Sequence, residues 1–142
     1  TGIPSQKLNG TGAVFLIDSG KTGSTAPMVS IFMEKMKSEG FRKMISTQFI
    51  KHTNLCVDSF LNGDVKNLFD NTKKLSKIVL DNFKPMIPDE FHDLWKKGID
   101  SGSYFLKLCG SGGGGYILGF APNIEQAKND LKDYNLEVVY HF

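Results

Sequence analysis

A run of glycines between two apolar segments limits most strongly what this chain can fold into. Five of the six residues from Gly110 to Gly115 are glycine. The flanking residues 104–109 and 116–121 are rich in aromatic and branched side chains, which favour strands. Glycine at this density costs conformational entropy, but it permits unusual backbone angles and close contact with another group. The sequence therefore predicts a strand, an ordered glycine loop and a second strand, with an anionic or backbone neighbour pressed against the loop.

The glycine loop does not fit either of the standard phosphate-binding motifs. Its letters match G-x-G-x-x-G, but that motif needs a helix directly after the glycines to receive the pyrophosphate, and here a strand follows. A Walker A loop needs Lys and then Ser or Thr, whereas Tyr116 and Ile117 stand in that place. Two interpretations remain open: an anion-binding concavity of backbone N–H groups, to which Ser111 could add a hydroxyl, or a plain hairpin without a ligand.

Elsewhere the hydrophobic spacing is typical of helices. The predicted helices are residues 27–39, 41–62, 65–83 and 89–97, and a short one that begins near residue 124. We expect Gly40 and Gly98 to follow the ends of two of them. Asp64 and Asn123 are the expected caps at the starts of two others.

Two further strands complete the prediction of the fold. Residues 13–17 form a first strand that stops at Asp18, and residues 136–140 form the last one. Four strands with helices grouped between them predict an α+β fold, with a mostly antiparallel sheet and helices on one face. The split βαβ, or ferredoxin-like, plan enlarged by extra helices fits this order. We expect one domain over residues 1–142.

Composition excludes several classes of function. No apolar stretch approaches the roughly 20 residues that span a bilayer, so we expect no membrane partner. The formal net charge is only +2 and acids are interspersed among the lysines, which argues against nucleic-acid binding. Cys56 and Cys109 do not form a disulfide framework, so we expect a cytoplasmic location. The first ten residues carry no apolar block and begin with threonine, which predicts a fragment or processed chain without a targeting signal.

The residues from Leu106 to Gly115 resemble the third conserved motif of the GHMP kinases, which include galactokinase, homoserine kinase, mevalonate kinase and phosphomevalonate kinase. The most similar form is that of the mevalonate kinases, Lys-Leu-Thr-Gly-Ala-Gly-Gly-Gly-Gly-Cys. Cys109, Ser111 and Tyr116 replace its threonine, alanine and cysteine, and no glycine is lost. Residues 17–29 are similar to the strand, Ser/Thr turn and helix start of that family. The resemblance covers nearly the whole chain, loosely in the helices.

This resemblance implies the C-terminal domain of a two-domain enzyme that uses ATP and Mg to phosphorylate the hydroxyl of a small acceptor in isoprenoid precursor synthesis. In that family the main ATP-binding loop and the catalytic acid and lysine belong to the N-terminal half, and nothing here matches them. We therefore expect no catalytic residue, no ATP or Mg held by this chain alone, and its own missing N-terminal domain as a partner. The implied nucleotide-site residues are Gly110, Ser111, Gly112, Gly113, Gly114 and Gly115.

A polar group at the end of the first strand is the candidate acceptor-binding patch. It consists of Asp18, Lys21, Ser24 and Thr25. These side chains suit a hydroxylated or phosphorylated acceptor, and they suit equally well the roles of turn and helix-cap residues. Both interpretations stay open.

The remaining candidates favour structural roles. His52 lies on the apolar face of a helix, where a core or interface histidine is the simpler interpretation than a catalytic base. No cluster of side chains has the spacing of metal ligands, so we expect no metal site. An absent N-terminal domain would leave apolar surface exposed, which predicts that the chain can form a homodimer. The alternatives to a kinase domain are a stand-alone ferredoxin-like binding or interaction module and a related diphosphomevalonate decarboxylase.

Overall fold

The strands form one antiparallel sheet in the order β2-β3-β1-β4. The computed structural model describes residues 2–7, 10–21, 25–110 and 112–142. Within these residues the strands are β1 (Ala13–Asp18), β2 (Phe105–Leu108), β3 (Tyr116–Ala121) and β4 (Leu136–His141). β1 and β2 follow each other in the chain, but β3 lies between them in the sheet. β4 pairs with the other side of β1. This is the split βαβ topology, so the predicted α+β, ferredoxin-like fold with extra helices is confirmed.

The helices occupy the segments that the hydrophobic spacing indicates. They are α1 (Thr25–Lys35), α2 (Glu39–Met44), α3 (Ile50–Leu61), α4 (Val65–Asn82), α5 (His92–Ser101) and α6 (Ile124–Asp130). A π-helical stretch, Ile45–Phe49, joins α2 to α3 without leaving helical backbone angles, and so produces the predicted long helix. The predicted caps are confirmed, since the side chains of Asp64 and Asn123 accept backbone N–H groups of α4 and α6.

Two predicted helix ends are wrong, each at a glycine. α1 ends at Lys35, and Ser38 then caps the next helix by accepting the N–H of Phe41, which leaves Gly40 inside its first turn. Gly98 lies within α5, where an added Cβ would stand 2.4 Å from the carbonyl oxygen of Tyr104. This glycine is therefore needed for close packing. α5 ends instead at Ser101 and is capped by Gly102, whose φ is +73°.

The main core lies on the face of the sheet formed by Ala13, Phe15 and Ile17, which are fully buried. Trp95 of α5 packs in the same core, and its Nε1 donates to the backbone oxygen of Ser76 in α4 at 2.9 Å. This hydrogen bond satisfies the indole N–H inside an apolar environment and fixes α5 against α4.

The helices do not all lie on one face of the sheet, contrary to the prediction. Val14, Leu118 and Phe120 belong to the opposite face, where together with residues of α3 and α4 they line an apolar cleft. The rings of Phe60 in α3 and Tyr140 in β4 also meet there, with centroids 6.1 Å apart. In the described residues, no helix is both long enough and apolar enough to cross a membrane.

Candidate functional site

The glycine loop, residues 109–115, joins β2 to β3 beside the turn that follows β1. The register of β1 against β3 brings the loop and this turn together, because Asp18 at the end of β1 pairs with Tyr116 at the start of β3. The N–H of Ser19 donates to the oxygen of Gly115 at 2.9 Å, and the N–H of Gly115 donates to the oxygen of Lys21 at 2.7 Å. Two backbone hydrogen bonds thus connect the glycine loop to the segment that carries the predicted acceptor-binding residues.

On its other side the loop contacts a 3₁₀ turn, Lys84–Met86. The N–H of Gly113 donates to the oxygen of Met86 at 2.6 Å. An added Cβ on Gly112, whose φ is +80°, would lie 2.5 Å from that same oxygen. On Gly113, with φ of +81°, it would lie 2.8 Å from the Sδ atom of Met28 in α1. The close neighbours of the loop are therefore a backbone carbonyl and a methionine side chain.

These hydrogen bonds limit what the loop can offer an anion. The N–H groups of Gly113 and Gly115 are already donated to protein carbonyls. Since each N–H makes one good hydrogen bond, neither is available to a phosphate oxygen in this arrangement. Ser111, whose hydroxyl is a predicted donor, lies outside the described residues. The geometry favours a supporting wall over a phosphate cradle, while nucleotide contacts by Gly110, Gly112, Gly113, Gly114 and Gly115 stay a prediction.

The predicted acceptor-binding residues lie along the segment after β1. The exposed carboxylate of Asp18 accepts the N–H of Gly20 through Oδ1 at 2.9 Å, which is an Asx turn. Lys21 donates its backbone N–H to Ser19 Oγ at 3.3 Å, and its side chain is exposed. Thr25 is the exposed first residue of α1, and Ser24 lies outside the described residues. The structure places Asp18 and Lys21 next to the glycine loop, and their binding role stays a prediction.

Sequence reasoning missed the residue that holds the 3₁₀ turn in place. Nε2 of His92 lies 2.8 Å from the oxygen of Ile87 and 3.0 Å from that of Lys84. Carbonyl oxygens only accept hydrogen bonds, so the Nε2 atom that contacts both of them must carry the proton. His92 thereby fixes the turn whose Met86 oxygen receives the N–H of Gly113. Pro85 and Pro88 indicate a turn in the sequence, but no local pattern shows that this turn meets the glycine loop.

A cavity of about 230 Å³ lies beside the loop. Its lining consists of Phe32, Phe49, Val79, Phe83, Met86, Lys107, Leu108 and Gly110. The Phe83 ring stacks on Phe32 with centroids 6.3 Å apart and packs against Phe49 at 5.0 Å. The cavity therefore has mainly aromatic and aliphatic walls, and Lys107 is the charged residue among those that line it.

His52 is half-buried in α3, and its structural interpretation stays a prediction. Burial lowers the pKa of its imidazole below the ordinary value of 6.5, and the positive charges of Lys51 and Lys74 act in the same direction. Its Nδ1 atom is buried and has no hydrogen-bond partner among the described residues. The same residues contain no group of three His, Cys, Asp or Glu side chains that could hold a metal ion.

Comparison with known proteins finds similarity in fold but none in sequence. No family model matches the sequence, and no curated protein matches it. The structure, however, superposes on Streptococcus pneumoniae phosphomevalonate kinase, solved with phosphomevalonate and AMPPNP, with a TM-score of 0.71 and 14% identity. That match covers 97% of this chain and 40% of the kinase.

Two other solved structures give similar values. The L. major mevalonate kinase, solved with R-mevalonate, matches with a TM-score of 0.68 and 16% identity over 92% of this chain and 38% of the enzyme. The Lin0012 protein from Listeria innocua matches with a TM-score of 0.70 and 15% identity over 96% of this chain and 41% of that protein. This chain has the fold of part of a GHMP kinase. It spans about two-fifths of the length of these proteins, and the likeness to GHMP kinases that the glycine motif predicts is confirmed for the fold.

Proposed function

We propose that this chain is the C-terminal domain of an ATP-dependent small-molecule kinase of the GHMP type, most similar to mevalonate kinase and active only together with an N-terminal domain. The observation that carries the proposal is the extent of the fold match. Nearly all of this chain superposes on about 40% of a phosphomevalonate kinase, which leaves room for a second domain. The glycine loop resembling the third GHMP motif supports the same assignment.

In this proposal the chain supplies shape and charge, and the reacting groups come from elsewhere. ATP would supply the phosphoryl group, and we expect neither ATP nor Mg to be held by this chain alone. The glycine loop, held on the oxygens of Met86 and Lys21, forms one wall of the nucleotide and acceptor site. Lys21 and Thr25 face the acceptor beside it. Phosphoryl transfer depends largely on positioning and charge stabilisation, so such a wall contributes without a base of its own.

The test uses a longer protein that includes the segment encoded upstream of this chain. We expect it to contain a second Gly-Ser-rich phosphate loop and to phosphorylate one member of a panel of mevalonate, phosphomevalonate and homoserine, with ATP and Mg. This chain alone should show no turnover. An upstream region without such a loop, or a longer protein that phosphorylates no member of the panel, would overturn the proposal.

The same preparation separates the alternatives. Release of carbon dioxide from diphosphomevalonate would identify a decarboxylase of the same fold. Tight binding of ATP or inorganic phosphate by this chain alone, measured by calorimetry, would favour a stand-alone binding module. The kinase proposal predicts neither result.

A further inference from the structure

Helix α1 has an apolar outer side. Within the part of the chain that the structure describes, none of its side chains is buried. Met28, Ile31 and Phe32 face inward, where they are half-buried and pack against the core. On the outer side the residues Val29 and Met33 are 47% and 59% exposed. Because they are four positions apart, these two side chains are neighbours on the helix surface.

The distribution of charge separates α1 from α5, a helix of similar length. The nine residues from Thr25 to Met33 include no charged side chain. The exposed positions of α5, in contrast, include Asp93, Lys96, Lys97 and Asp100. A helix at a water-facing surface normally has charged and polar residues opposite its core face. Depletion of charge together with exposed methionine is instead typical of the centre of a protein–protein interface.

The outer side of α1 continues into the glycine loop. The Sδ atom of Met28 lies so near Gly113 that an added Cβ there would be only 2.8 Å away, so α1 rests directly on the loop. Tyr116, which directly follows the loop, is 52% exposed. Large apolar side chains are therefore exposed beside the loop in α1 and directly after it in β3. A domain that completes a site at this loop would meet α1 as well.

We propose that the outer side of α1, with Val29 and Met33 at its centre, is the docking surface for the N-terminal domain of the longer protein, and that the facing surface of that domain is apolar and uncharged. The inference rests on the proposed function, in which a second domain completes the site at the glycine loop. The superposed part is 40% of the matched phosphomevalonate kinase, so more than half of that chain lies outside it. Burial of the two side chains would stabilise the domain pair.

Cysteine labelling tests the location of the docking surface. Met33→Cys places a thiol at its centre, and Asn129→Cys, at an exposed position of α6, is the matched control. Helix α6 follows β3 at Ala121, which pairs with Ala13 at the end of the sheet away from the glycine loop. The rate of N-ethylmaleimide addition to each thiol is followed by peptide mass spectrometry, both in this chain and in the longer protein.

We expect Met33→Cys to react at least about tenfold more slowly in the longer protein than in this chain, since a thiol within an interface reacts only when the interface opens. Asn129→Cys should react at the same rate in both proteins.

An added charge tests whether the contact matters energetically. Because Met33 is exposed in this chain, Met33→Lys should leave its urea unfolding essentially unchanged. In the longer protein the same substitution should lower kcat/KM by at least about tenfold, since the ammonium group would be buried without a partner. Asn129→Lys adds the same charge at an exposed position and should change neither quantity.

The outcomes distinguish a failure of this inference from a failure of the kinase proposal. Equal labelling of Met33→Cys in this chain and in an active longer protein, or an unchanged kcat/KM for Met33→Lys, would overturn docking on α1 and leave the kinase proposal standing. Protection of Met33→Cys in a longer protein that phosphorylates no acceptor would support the docking surface and overturn the kinase proposal. Protection that appears equally in this chain as its concentration rises would identify a second copy as the occupant and would overturn the inference.

Discussion

At the scale of single residues, Gly112 and Gly113 make the contacts of the loop possible. Both have positive φ. A Cβ on Gly112 would clash with the backbone oxygen of Met86, whereas a Cβ on Gly113 would require the flexible side chain of Met28 to move. Gly102 has a similar φ of +73° but no atom within 4 Å of its Cβ position. Substitution of Gly102 therefore tests the free-energy cost of the left-handed backbone alone. Substitution of Gly112 or Gly113 adds the cost of close approach to a neighbouring atom.

We predict an order of stability for three alanine variants of this chain. Gly102→Ala should cost about 1–2 kcal/mol, because it bears only the left-handed backbone penalty. Gly113→Ala should cost more, since Met28 must move, and Gly112→Ala should cost most, with an added overpacking penalty of about 1–3 kcal/mol against the backbone of Met86. Urea unfolding of the purified variants measures these values. Equal losses at the three positions would show that the loop is not held by close contact.

His52 gives the chain a predictable response to pH. Because its pKa is lowered in the folded state, the unfolded chain binds the proton more readily than the folded chain below the ordinary value of 6.5. Stability from this group is therefore present above about pH 6.5 and falls as the pH is lowered. Urea unfolding between about pH 8 and pH 5 should show that loss, and His52→Gln should reduce its slope. Parallel pH profiles for the two proteins would contradict this account.

At the scale of elements, the sequence predicts a helix boundary correctly where a side chain bonds to the backbone of its own helix. Asp64 and Asn123 are predictable as caps because a cap contacts N–H groups two or three residues away. The helix ends predicted at Gly40 and Gly98 are wrong for different reasons. A new helix capped by Ser38 begins just before Gly40, which has no tight neighbour, whereas Gly98 allows close packing. Only the position of Tyr104 against α5 shows that Gly98 has this role.

The turn from Lys84 to Ile87 supports the glycine loop, and we predict that His92 controls this support. His92→Ala removes the donor shared by the oxygens of Lys84 and Ile87 and should cost about 1 kcal/mol. It should also speed hydrogen exchange at the Gly113 amide, which donates to Met86.

The Gly115 amide, which donates to Lys21 instead, provides the internal control for this variant. His92→Gln, which retains an N–H donor, should restore part of the protection. Equal acceleration at Gly113 and Gly115 would indicate a general loss of stability and would contradict a specific role of the turn.

At the scale of the whole molecule, the sheet could be predicted but the surroundings of the site could not. Short runs of apolar, aromatic and branched residues, together with turn signals, locate all four described strands, and the split βαβ order fits their connections. The contact between the glycine loop and Met86 depends on how α4, the 3₁₀ turn and β2 pack together. No periodicity encodes that contact. The apolar cleft between the sheet and helices α3 and α4 is unpredictable for the same reason, since its walls come from segments far apart in the chain.

The central claim is that the glycine loop forms a wall of a phosphoryl-transfer site completed by another domain. The most direct test is the turnover number of the longer protein carrying Gly113→Val. It is measured at saturating ATP with the acceptor that the unmodified protein phosphorylates. We predict a sharp loss of kcat, because a side chain at this position displaces Met28 and the loop. Gly102→Val, matched in φ but in open space and away from the loop, should retain most of the turnover. Equal kcat values for a folded Gly113→Val variant and the unmodified enzyme would contradict the claim.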